Sequence, residues 1–427
     1  MAFKSKFGAI SERAYDGATF DFVGGARVEV PDSCRCRHFK LINLDTAQVL
    51  KEFIASPENE DERVKEMRNK IKSGMTLVPV GREGENLTPE SSLVFFSNEK
   101  NEYVNWRIEQ YDENDDLVFS CNMDLTDREV WVEICSFSLG DCIAWFKCAE
   151  DFRIKHKCRM NVIISRVVID IFKGKYPNVS FHEREARTII PDSAYAMYFI
   201  GAVNGSSVED YAYRSFFDQY VPLISIGYNT LGLITDFAPP LIDVDDERLI
   251  DERYVCISTL SSIPNKNWER ENGWNELCIA LKSEGYRVLD IDRYDHVTYE
   301  RHGKILKIER IPDEAEDWTG DLPIRDRLQL LRHSECLIGL SSGAALMSWL
   351  THTPRVLVIG STIEHVEFLD DRYIPVQNFH ACRGCLTRDP FESLCDVCKH
   401  LGTEREFECT RRTTPEMVLN AFHKIIN

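Results

Sequence analysis

Short apolar runs alternate with segments of helical periodicity from residue 130 to the C-terminus. The runs predict buried strands, and the segments between them predict helices. Strands that alternate with helices build parallel sheets covered on both faces. The pattern therefore predicts an α/β fold with two Rossmann-type halves, residues 128–245 and 246–427, that face each other across a cleft.

The clearest predicted strands are VWVEICSFS (130–138), MNVIIS (160–165), YVCISTLSS (254–262), YRVLDID (286–292), KILKIER, ECLIGL (335–340) and RVLVIG (355–360). The last segment, TPEMVLNAFHKII, predicts a closing helix with a threonine cap and Pro415 at its first position. The acidic segment 238–253 is either the linker between the halves or a solvated loop within one domain.

Residues 1–127 show a different pattern. ATFDFVGGARVEV and YVNWRIEQYDENDDLVFSCNMDL alternate apolar and polar residues around Gly-Gly or Asn-Asp turns, which predicts hairpins. The polar segment from Asp45 to Gly74 predicts one or two exposed helices. We expect a small β-rich accessory domain with an interaction or oligomerisation role.

Composition narrows the classes of protein. The chain has 427 residues, which suits two or three domains, and no apolar run long enough to span a membrane. A net charge of −19 disfavours nucleic-acid binding. The N-terminus lacks the apolar core of a secretory signal, and fifteen scattered cysteines favour a reducing cytoplasm over disulfides.

Five cysteines lie close together in HACRGCLTRDPFESLCDVCKHLGTEREFECT, residues 380–410. They are Cys382, Cys385, Cys395, Cys398 and Cys409. Two CxxC pairs can bring four thiolates to one tetrahedral metal ion, so the spacing predicts a metal finger. Zinc and a single iron ion both suit four sulfurs, and a closed site of this kind is structural. Five candidates for four places leave one spectator.

Two further segments predict an anion site in the second half. In GLSSGAALMSWL (339–350), Ser341, Ser342 and Gly343 come where a strand ends and a helix begins, which suits a diphosphate. Lys266 lies in a loop that follows another strand and could neutralise a phosphate. A serine-capped helix and a surface lysine are the structural alternatives.

The segment SLGD (138–141) occupies the equivalent strand-to-helix turn of the first half. Asp141 could accept a proton from an incoming hydroxyl group, or it could be a helix N-cap. A carboxylate that faces an anion site across a cleft is the layout of a nucleotide-sugar transferase that needs no Mg²⁺.

The segments GLSSGAALMSWL, IPDEAEDWTGDLPIRDRLQLL, NKNWERENGW, SLGDCIAWF and CRGC…C…GTEREFEC together resemble the bacterial autotransporter heptosyltransferases, the TibC-like family, over residues 103–427. The resemblance implies a GT-B-type catalytic unit that moves heptose from ADP-glycero-manno-heptose to serine hydroxyl groups of an autotransporter adhesin, with inversion. It also implies a four-cysteine finger that holds iron (Fe³⁺), with zinc as the alternative metal, and a dodecameric homo-oligomer.

The same resemblance implies roles for individual residues. Asp141 would be the general base, and the donor-binding residues would be Gly140, Lys266, Asp292, Ser341, Ser342 and Gly343. The metal ligands would be Cys382, Cys385, Cys398 and Cys409, with Cys395 as the spectator. The sequence reads CKHLGT, one residue shorter than the family pattern, and Cys395 permits an alternative CxxC…CxxC set. A GT-B enzyme with another donor or acceptor and a non-enzymatic metal-finger scaffold are the alternative functions.

Overall fold

The computed structural model describes residues 12–60, 65, 92–97, 102–186, 190–191, 193–201, 221–261, 263–301, 304–309, 311–385 and 398–427. Within these ranges the α/β class with two Rossmann-type halves is confirmed. No helix in these ranges has both the length and the apolar character that crossing a bilayer requires.

Residues up to 230 form two sheets and the helices that cover them. The strands are β1 (Glu12–Arg13), β2 (Thr19–Val23), β3 (Arg27–Pro31), β4 (His38–Asn43), β5 (Gln48–Ile54), β6 (Ser92–Phe96), β7 (Trp106–Tyr111), β8 (Leu117–Asn122), β9 (Glu129–Ile134), β10 (Arg159–Ile164), β11 (Val179–Glu183) and β12 (Ala196–Ile200). The α-helices among the described residues of this part are α1 (Leu139–His156), α2 (Arg166–Phe172) and α3 (Leu223–Thr230).

The larger sheet has the order β11-β10-β9-β12-β2-β3-β6, and β1 pairs with β2. Strands β9 to β12 are parallel, as strand–helix alternation predicts. The N-terminal hairpin β2–β3 continues this sheet, because β2 pairs in parallel with β12 and β6 adds to β3. The sheet thus runs across residue 127, and the division into domains at that residue stays a prediction.

The second sheet is antiparallel, with the order β5-β4-β7-β8. The predicted helix was wrong over residues 48–54, which form strand β5. Phe53 is buried there, and its ring stacks 4.3 Å from the ring of Phe95 and 5.5 Å from that of Phe39. Pairing with β4 and this aromatic contact outweigh the local helical propensity. Most of the remaining predicted helix, up to Gly74, lies outside the described residues.

The C-terminal half contains one parallel sheet of order β17-β14-β13-β18-β19-β20. Its strands are β13 (Tyr254–Ile257), β14 (Arg287–Asp290), β17 (Glu316–Asp317), β18 (Leu337–Leu340), β19 (Arg355–Val358) and β20 (Tyr373–Val376). The predicted strand KILKIER is β16 (Lys304–Glu309), which pairs with β15 (His296–Arg301) as a separate antiparallel hairpin.

Where the structure describes this half, its α-helices are α4 (Gly273–Ser283), α5 (Ile324–His333), α6 (Gly343–Leu350), α7 (Glu364–Glu367), α8 (Glu408–Arg411) and α9 (Pro415–Ile426). The closing helix α9 begins as predicted, since the Thr414 hydroxyl accepts a hydrogen bond from the Met417 amide at 3.3 Å. It packs Val418 and Phe422 into the apolar layer beneath the sheet.

Segment 238–253 has no helix or strand and joins the two halves. Its residue Asp243 is hydrogen-bonded to a helix of each half. The Asp243 amide donates to the carbonyl oxygen of Ile171 on α2 at 2.7 Å, and the Arg325 side chain on α5 donates to the Asp243 carbonyl oxygen. These bonds span the two halves on either side of the cleft, so the linker helps to set the distance between them.

Candidate functional site

A cavity of about 1100 Å³ lies between the halves. Loops that follow the carboxyl ends of strands in both sheets line it, which is where open α/β folds bind ligands. The structure brings together here every residue that the sequence suggested for the donor and the base: Gly140, Asp141, Lys266, Asp292, Ser341, Ser342 and Gly343.

Two helix N-termini meet at the centre of this cavity. Helix α1 begins at Leu139 and helix α6 at Gly343, one from each half. A methyl group built on Gly140 would lie 3.7 Å from the Cα of Gly343, and one built on Gly343 would lie 3.3 Å from the Leu139 side chain. Each helix start carries about half a positive charge and unpaired N–H groups. Two such ends side by side repel each other, and a bound anion removes that repulsion.

The start of α6 has an unsatisfied hydroxyl group. Ser342 is the N-cap residue, but its side chain makes no capping bond, and its buried Oγ has no partner among the described residues. A buried hydroxyl without a partner costs about 1–3 kcal/mol. The Ser342 Oγ and the free N–H groups of this turn are therefore suited to phosphate oxygens.

Asp141 lies in the first turn of α1 and is not the N-cap residue, which is Ser138. The Ser136 hydroxyl donates to the Asp141 carboxylate at 2.6 Å, and the Ser138 amide donates to the Ser136 Oγ at 3.0 Å. This chain of bonds fixes the carboxylate at the cavity wall. The capping alternative for Asp141 was wrong, because the helix has already begun two residues earlier.

Lys266 ends a short 3₁₀ turn, Pro264–Lys266, and its side chain lines the cavity from the second half. The Lys266 amide donates to the carbonyl oxygen of Ile263 at 3.0 Å, which closes the turn. Within the part of the chain that the structure describes, no carboxylate pairs with its ammonium group. An unpaired cation beside two helix starts makes this part of the cavity strongly attractive to anions.

Asp292 also lines the cavity, but its carboxylate is occupied by protein donors. The Ser258 hydroxyl donates to it at 2.6 Å, and the amides of Thr259 and Leu260 donate at 2.6 and 2.9 Å. It therefore fixes the loop after β13. Burial raises the pKa of Asp292 to about 6, against the lowering effect of these bonds. Its nucleoside-binding role stays a prediction.

Asp290 lies beneath Asp292, fully buried at the end of β14. Burial first, and the neighbouring Asp292 charge second, raise the pKa of Asp290 well above its usual range. A carboxyl group whose pKa is raised by folding stabilises the protein below its unfolded pKa, and that stabilisation is lost as pH rises through the folded pKa.

We therefore expect Asp290→Asn to gain stability relative to the unsubstituted protein as pH rises from 5 to 8. The amide has the shape of the protonated acid and carries no charge to bury. Urea unfolding of both proteins at several pH values measures the difference. A difference that stays constant, or that changes in the opposite direction, would show that Asp290 is ionised in the folded protein.

Sequence reasoning missed two residues that hold the site in place. Ser136 orients Asp141, and Arg327 on α5 is buried and donates to the carbonyl oxygens of Ile291 and Gly320 at 2.9 and 2.6 Å. Arg327 lies in the resembling segment PIRDRLQLL, so its charge inside an otherwise amphipathic helix was an available signal. Ser136 had none, since its role depends on the turn geometry alone.

A second, smaller pocket of about 160 Å³ contains the cysteine cluster. Cys382, Cys385, Cys398 and Cys409 all line it, whereas Cys395 lies outside the described residues. The amides of His400 and Phe407 donate to the Cys398 sulfur at 3.4 and 3.3 Å. Burial, and then the sulfurs of Cys382 and Cys385, raise the pKa of the Cys409 thiol to about 12, so a bound cation is required for this group to be a thiolate at neutral pH.

One member of the cysteine cluster also belongs to a second set of possible metal ligands. The ligand atoms of Cys382, His400 and Glu408 lie within 4.8 Å of one another. However, the Glu408 carboxylate already accepts hydrogen bonds from the Arg405 side chain at 2.5 and 3.0 Å and from the Cys382 amide at 3.2 Å. We therefore favour the cysteine thiols as the metal ligands, because the Glu408 carboxylate already forms an ion pair with Arg405.

Asn265 lines the same pocket and is 2% exposed. Neither polar atom of its side-chain amide has a hydrogen-bond partner among the described residues. Each buried unpaired group of this kind costs about 1–3 kcal/mol. No sequence pattern singles out Asn265, since it lies beside the more conspicuous Lys266.

Comparison with known proteins agrees with this architecture. No protein-family model matches the chain. The autotransporter heptosyltransferase TibC of Escherichia coli O78:H11 is 36% identical over 338 residues, which cover 76% of this chain and 79% of TibC. The autotransporter heptosyltransferase Aah of Escherichia coli is 36% identical over 333 residues, 75% of this chain and 80% of Aah.

Two further comparisons bear on the site. A protein of Burkholderia thailandensis named as an inactive autotransporter heptosyltransferase, BimC, is 30% identical over 72% of this chain and 71% of its own. The crystal structure of TibC in complex with ADP-D-beta-D-heptose, described as a dodecameric iron-containing heptosyltransferase, has a TM-score of 0.79 at 28% identity and covers 98% of both chains.

The two facing halves and the cavity between them define a glycosyltransferase of GT-B type. The chain belongs to the autotransporter heptosyltransferase family.

Proposed function

We propose that this protein transfers heptose from ADP-heptose to serine hydroxyl groups of an autotransporter passenger protein, with inversion at the anomeric carbon. The observation that supports it most is the arrangement of one cavity: two helix starts and Lys266 form an anion site, and Asp141 lies at the wall that the other half contributes. ADP-heptose is the ligand in the TibC crystal structure.

The diphosphate of the donor would lie against the starts of α1 and α6. There the N–H groups of the first turn of α6 and the Ser342 hydroxyl donate to phosphate oxygens, and the Lys266 ammonium neutralises charge. As the bond between the anomeric carbon and the diphosphate oxygen breaks, ADP leaves with the electron pair. These groups stabilise the charge that develops on the leaving oxygen.

The serine oxygen would attack the anomeric carbon from the opposite face, and Asp141 would accept the serine proton. The bond from Ser136 holds the carboxylate in place at the cavity wall. One displacement of this kind inverts the configuration.

Incubating the purified protein with ADP-heptose and a co-purified passenger tests the function. We expect the intact mass of the passenger to rise in steps of one heptose residue. A parallel panel of other nucleotide sugars distinguishes the donor. Transfer from another nucleotide sugar alone would replace heptose in the proposal, and no transfer with any donor would place the chain with the relative named as inactive.

Lys266→Ala should weaken ADP binding by about 10- to 100-fold, since a charge-assisted hydrogen bond contributes about 1.5–3 kcal/mol. Titration calorimetry with ADP measures this loss. Adenosine serves as the control ligand, because it lacks the phosphates that the lysine contacts, and its affinity should not change. Equal losses for both ligands would show that the lysine shapes the pocket and does not bind the diphosphate.

The cysteine pocket is proposed to hold iron, because the related TibC is described as iron-containing. The chemistry of the residues present suits this group: four cysteines line one pocket of about 160 Å³, and two amides donate to the Cys398 sulfur. Cys382, Cys385, Cys398 and Cys409 would be the ligands. Iron bound by four thiolates would supply cross-linking of the finger, not chemistry on the sugar. Zinc is the alternative metal.

Assembly and location complete the proposal. TibC is described as a dodecamer, and we propose that this chain forms a homo-oligomer of the same kind. We also propose a cytoplasmic location. It is supported by the free thiols of all fourteen cysteines in the described residues, which an oxidising compartment would not preserve.

A further inference from the structure

The 3₁₀ turn Pro264–Lys266 separates the two pockets described above. Lys266 lines the donor cavity, and the preceding residue, Asn265, lines the cysteine pocket. A single turn of backbone therefore connects the anion site with the finger. A hydrogen bond that holds Asn265 in place therefore also holds the backbone from which the Lys266 side chain extends.

The side-chain amide of Asn265 can form hydrogen bonds inside the cysteine pocket. Its side chain is 98% buried there, and both amide atoms lack a partner among the described residues. Most buried amides in folded proteins are hydrogen-bonded, so a partner is expected when the pocket is loaded. The residues that line the pocket with it include Cys382, Cys385, Cys398 and Cys409, whose thiolates can accept hydrogen bonds.

Thiolate sulfurs that bind a metal carry negative charge and accept N–H hydrogen bonds. The Cys398 sulfur already accepts two of them, from the amides of His400 and Phe407. Both of these donors belong to the finger itself. Asn265 differs because it reaches the pocket from the segment that carries Lys266.

We propose that the side-chain N–H of Asn265 donates to a metal-bound thiolate of the finger, and that this bond positions the turn that presents Lys266 to the donor. Asn265 is thus a positioning residue that links metal binding to donor binding. The inference rests on the metal site proposed above.

Two other bonds already join the same segment to the finger. The Trp268 indole N–H donates to the carbonyl oxygen of Thr413 at 3.1 Å, and the Glu269 amide donates to the Thr410 Oγ1 at 3.3 Å. Thr410 follows Cys409 directly. Residues 268 and 269 are therefore anchored to the end of the finger that carries one ligand, and Asn265 would add an anchor at the metal itself.

Asn265→Leu is the test, because leucine has nearly the same shape and no donor. The protein is purified with its metal, and three quantities are measured: the rate at which a chelator removes the metal, the charge-transfer absorption of the site, and the affinity for ADP. Loss of an outer hydrogen bond to a metal ligand typically weakens metal binding 10- to 100-fold. We expect metal removal about 10- to 100-fold faster, a shifted absorption spectrum and ADP binding several-fold weaker, although Asn265 does not line the donor cavity.

Asn275→Leu is the matched control. Asn275 lies on α4 and also has a buried amide oxygen without a partner, but it does not line either pocket. It should leave all three quantities unchanged. Asn265→Ser keeps a shorter O–H donor and should give intermediate values, which provides a second variant if the leucine protein does not fold.

Several outcomes overturn the inference. Metal removal and absorption in Asn265→Leu equal to those of the unsubstituted protein would exclude the bond to the thiolate. Altered metal properties with unchanged ADP affinity would exclude the link to Lys266. An unsubstituted protein that binds no metal in this pocket would instead refute the metal site itself, and the inference with it.

Discussion

Asp141→Asn is expected to reduce heptosyl transfer by about 100- to 10,000-fold, the usual contribution of a general base. Asparagine can still accept the hydrogen bond from Ser136 through its amide oxygen, so the turn before α1 should keep its structure. The amide cannot take the serine proton. Transfer is measured as the rate at which the passenger gains heptose by intact-mass analysis, with saturating ADP-heptose.

The same variant should bind ADP as tightly as the unsubstituted protein, or more tightly. Asp141 lies in the first turn of α1, at the helix start that also faces the diphosphate site, and removing its negative charge removes a repulsion. A variant that loses both transfer and ADP affinity would point to a structural defect and would leave Asp141 without the role of base.

Asp170→Asn is the matched control for this experiment. Asp170 lines the same cavity from α2, and its carboxylate is paired with Lys173 at 2.6 Å. It should retain transfer within a few-fold of the unsubstituted rate. If Asp141→Asn behaves like this control, the base must be sought elsewhere in the cavity wall.

The positions of these residues show how much of the site can be predicted from local sequence. SLGD and GLSSG were identified because each follows an apolar strand and begins a helix, and the structure places both at the cavity. The close approach of Gly140 and Gly343, which leaves room for no more than a methyl group between them, is a feature of how the two halves of the fold meet. No local pattern encodes it, because it depends on how the linker and the interface helices set the two sheets against each other.

In the N-terminal part, local sequence predicted a hairpin but not the strands with which it pairs. The hairpin ATFDFVGGARVEV was predicted from its alternation and its Gly-Gly turn, which has positive φ at Gly24 and Gly25. Its attachment to β12 could not be predicted, because strand pairing between distant segments is decided by which edge is free. The strand β5 was missed for a similar reason, since its partner β4 and the ring of Phe95 lie outside its own sequence window.

The interaction network around Lys266 and the finger combines both kinds of information. CxxC spacing predicted the pocket, while the structure added the orphaned amide of Asn265 and the ties from Trp268 and Glu269. A structural metal in this enzyme would therefore stabilise a second segment in addition to the finger. It would help to fix the segment that supplies the cation of the donor site.

Cys409→Ser is expected to abolish metal binding and to lower the thermal midpoint by roughly 10 °C. A ligand held at about 1,000 times its Kd stabilises the folded state by about 4 kcal/mol, and each kcal/mol shifts the midpoint by about 2–4 °C in a domain of this size. Cys409 is 7% exposed, and a methyl group added to Gly360 would lie 2.8 Å from its sulfur, so this side chain is tightly packed. Metal content is measured by elemental analysis, and stability by thermal unfolding.

Cys395→Ser is the decisive partner of this variant, because the sequence permits either thiol as the fourth ligand. Cys409 lines the pocket with Cys382, Cys385 and Cys398, and the sequence resemblance selects the same four. Cys395→Ser should therefore keep one metal ion per chain and the unsubstituted midpoint. The reverse result, with metal retained by Cys409→Ser and lost by Cys395→Ser, would mean that the finger closes through two CxxC pairs and that Cys409 is the spectator. In that case Thr410 and Thr413 would not lie next to a metal ligand. The bonds that Trp268 and Glu269 make to them would then no longer connect the metal to the Lys266 segment, and only the proposed bond from Asn265 would remain.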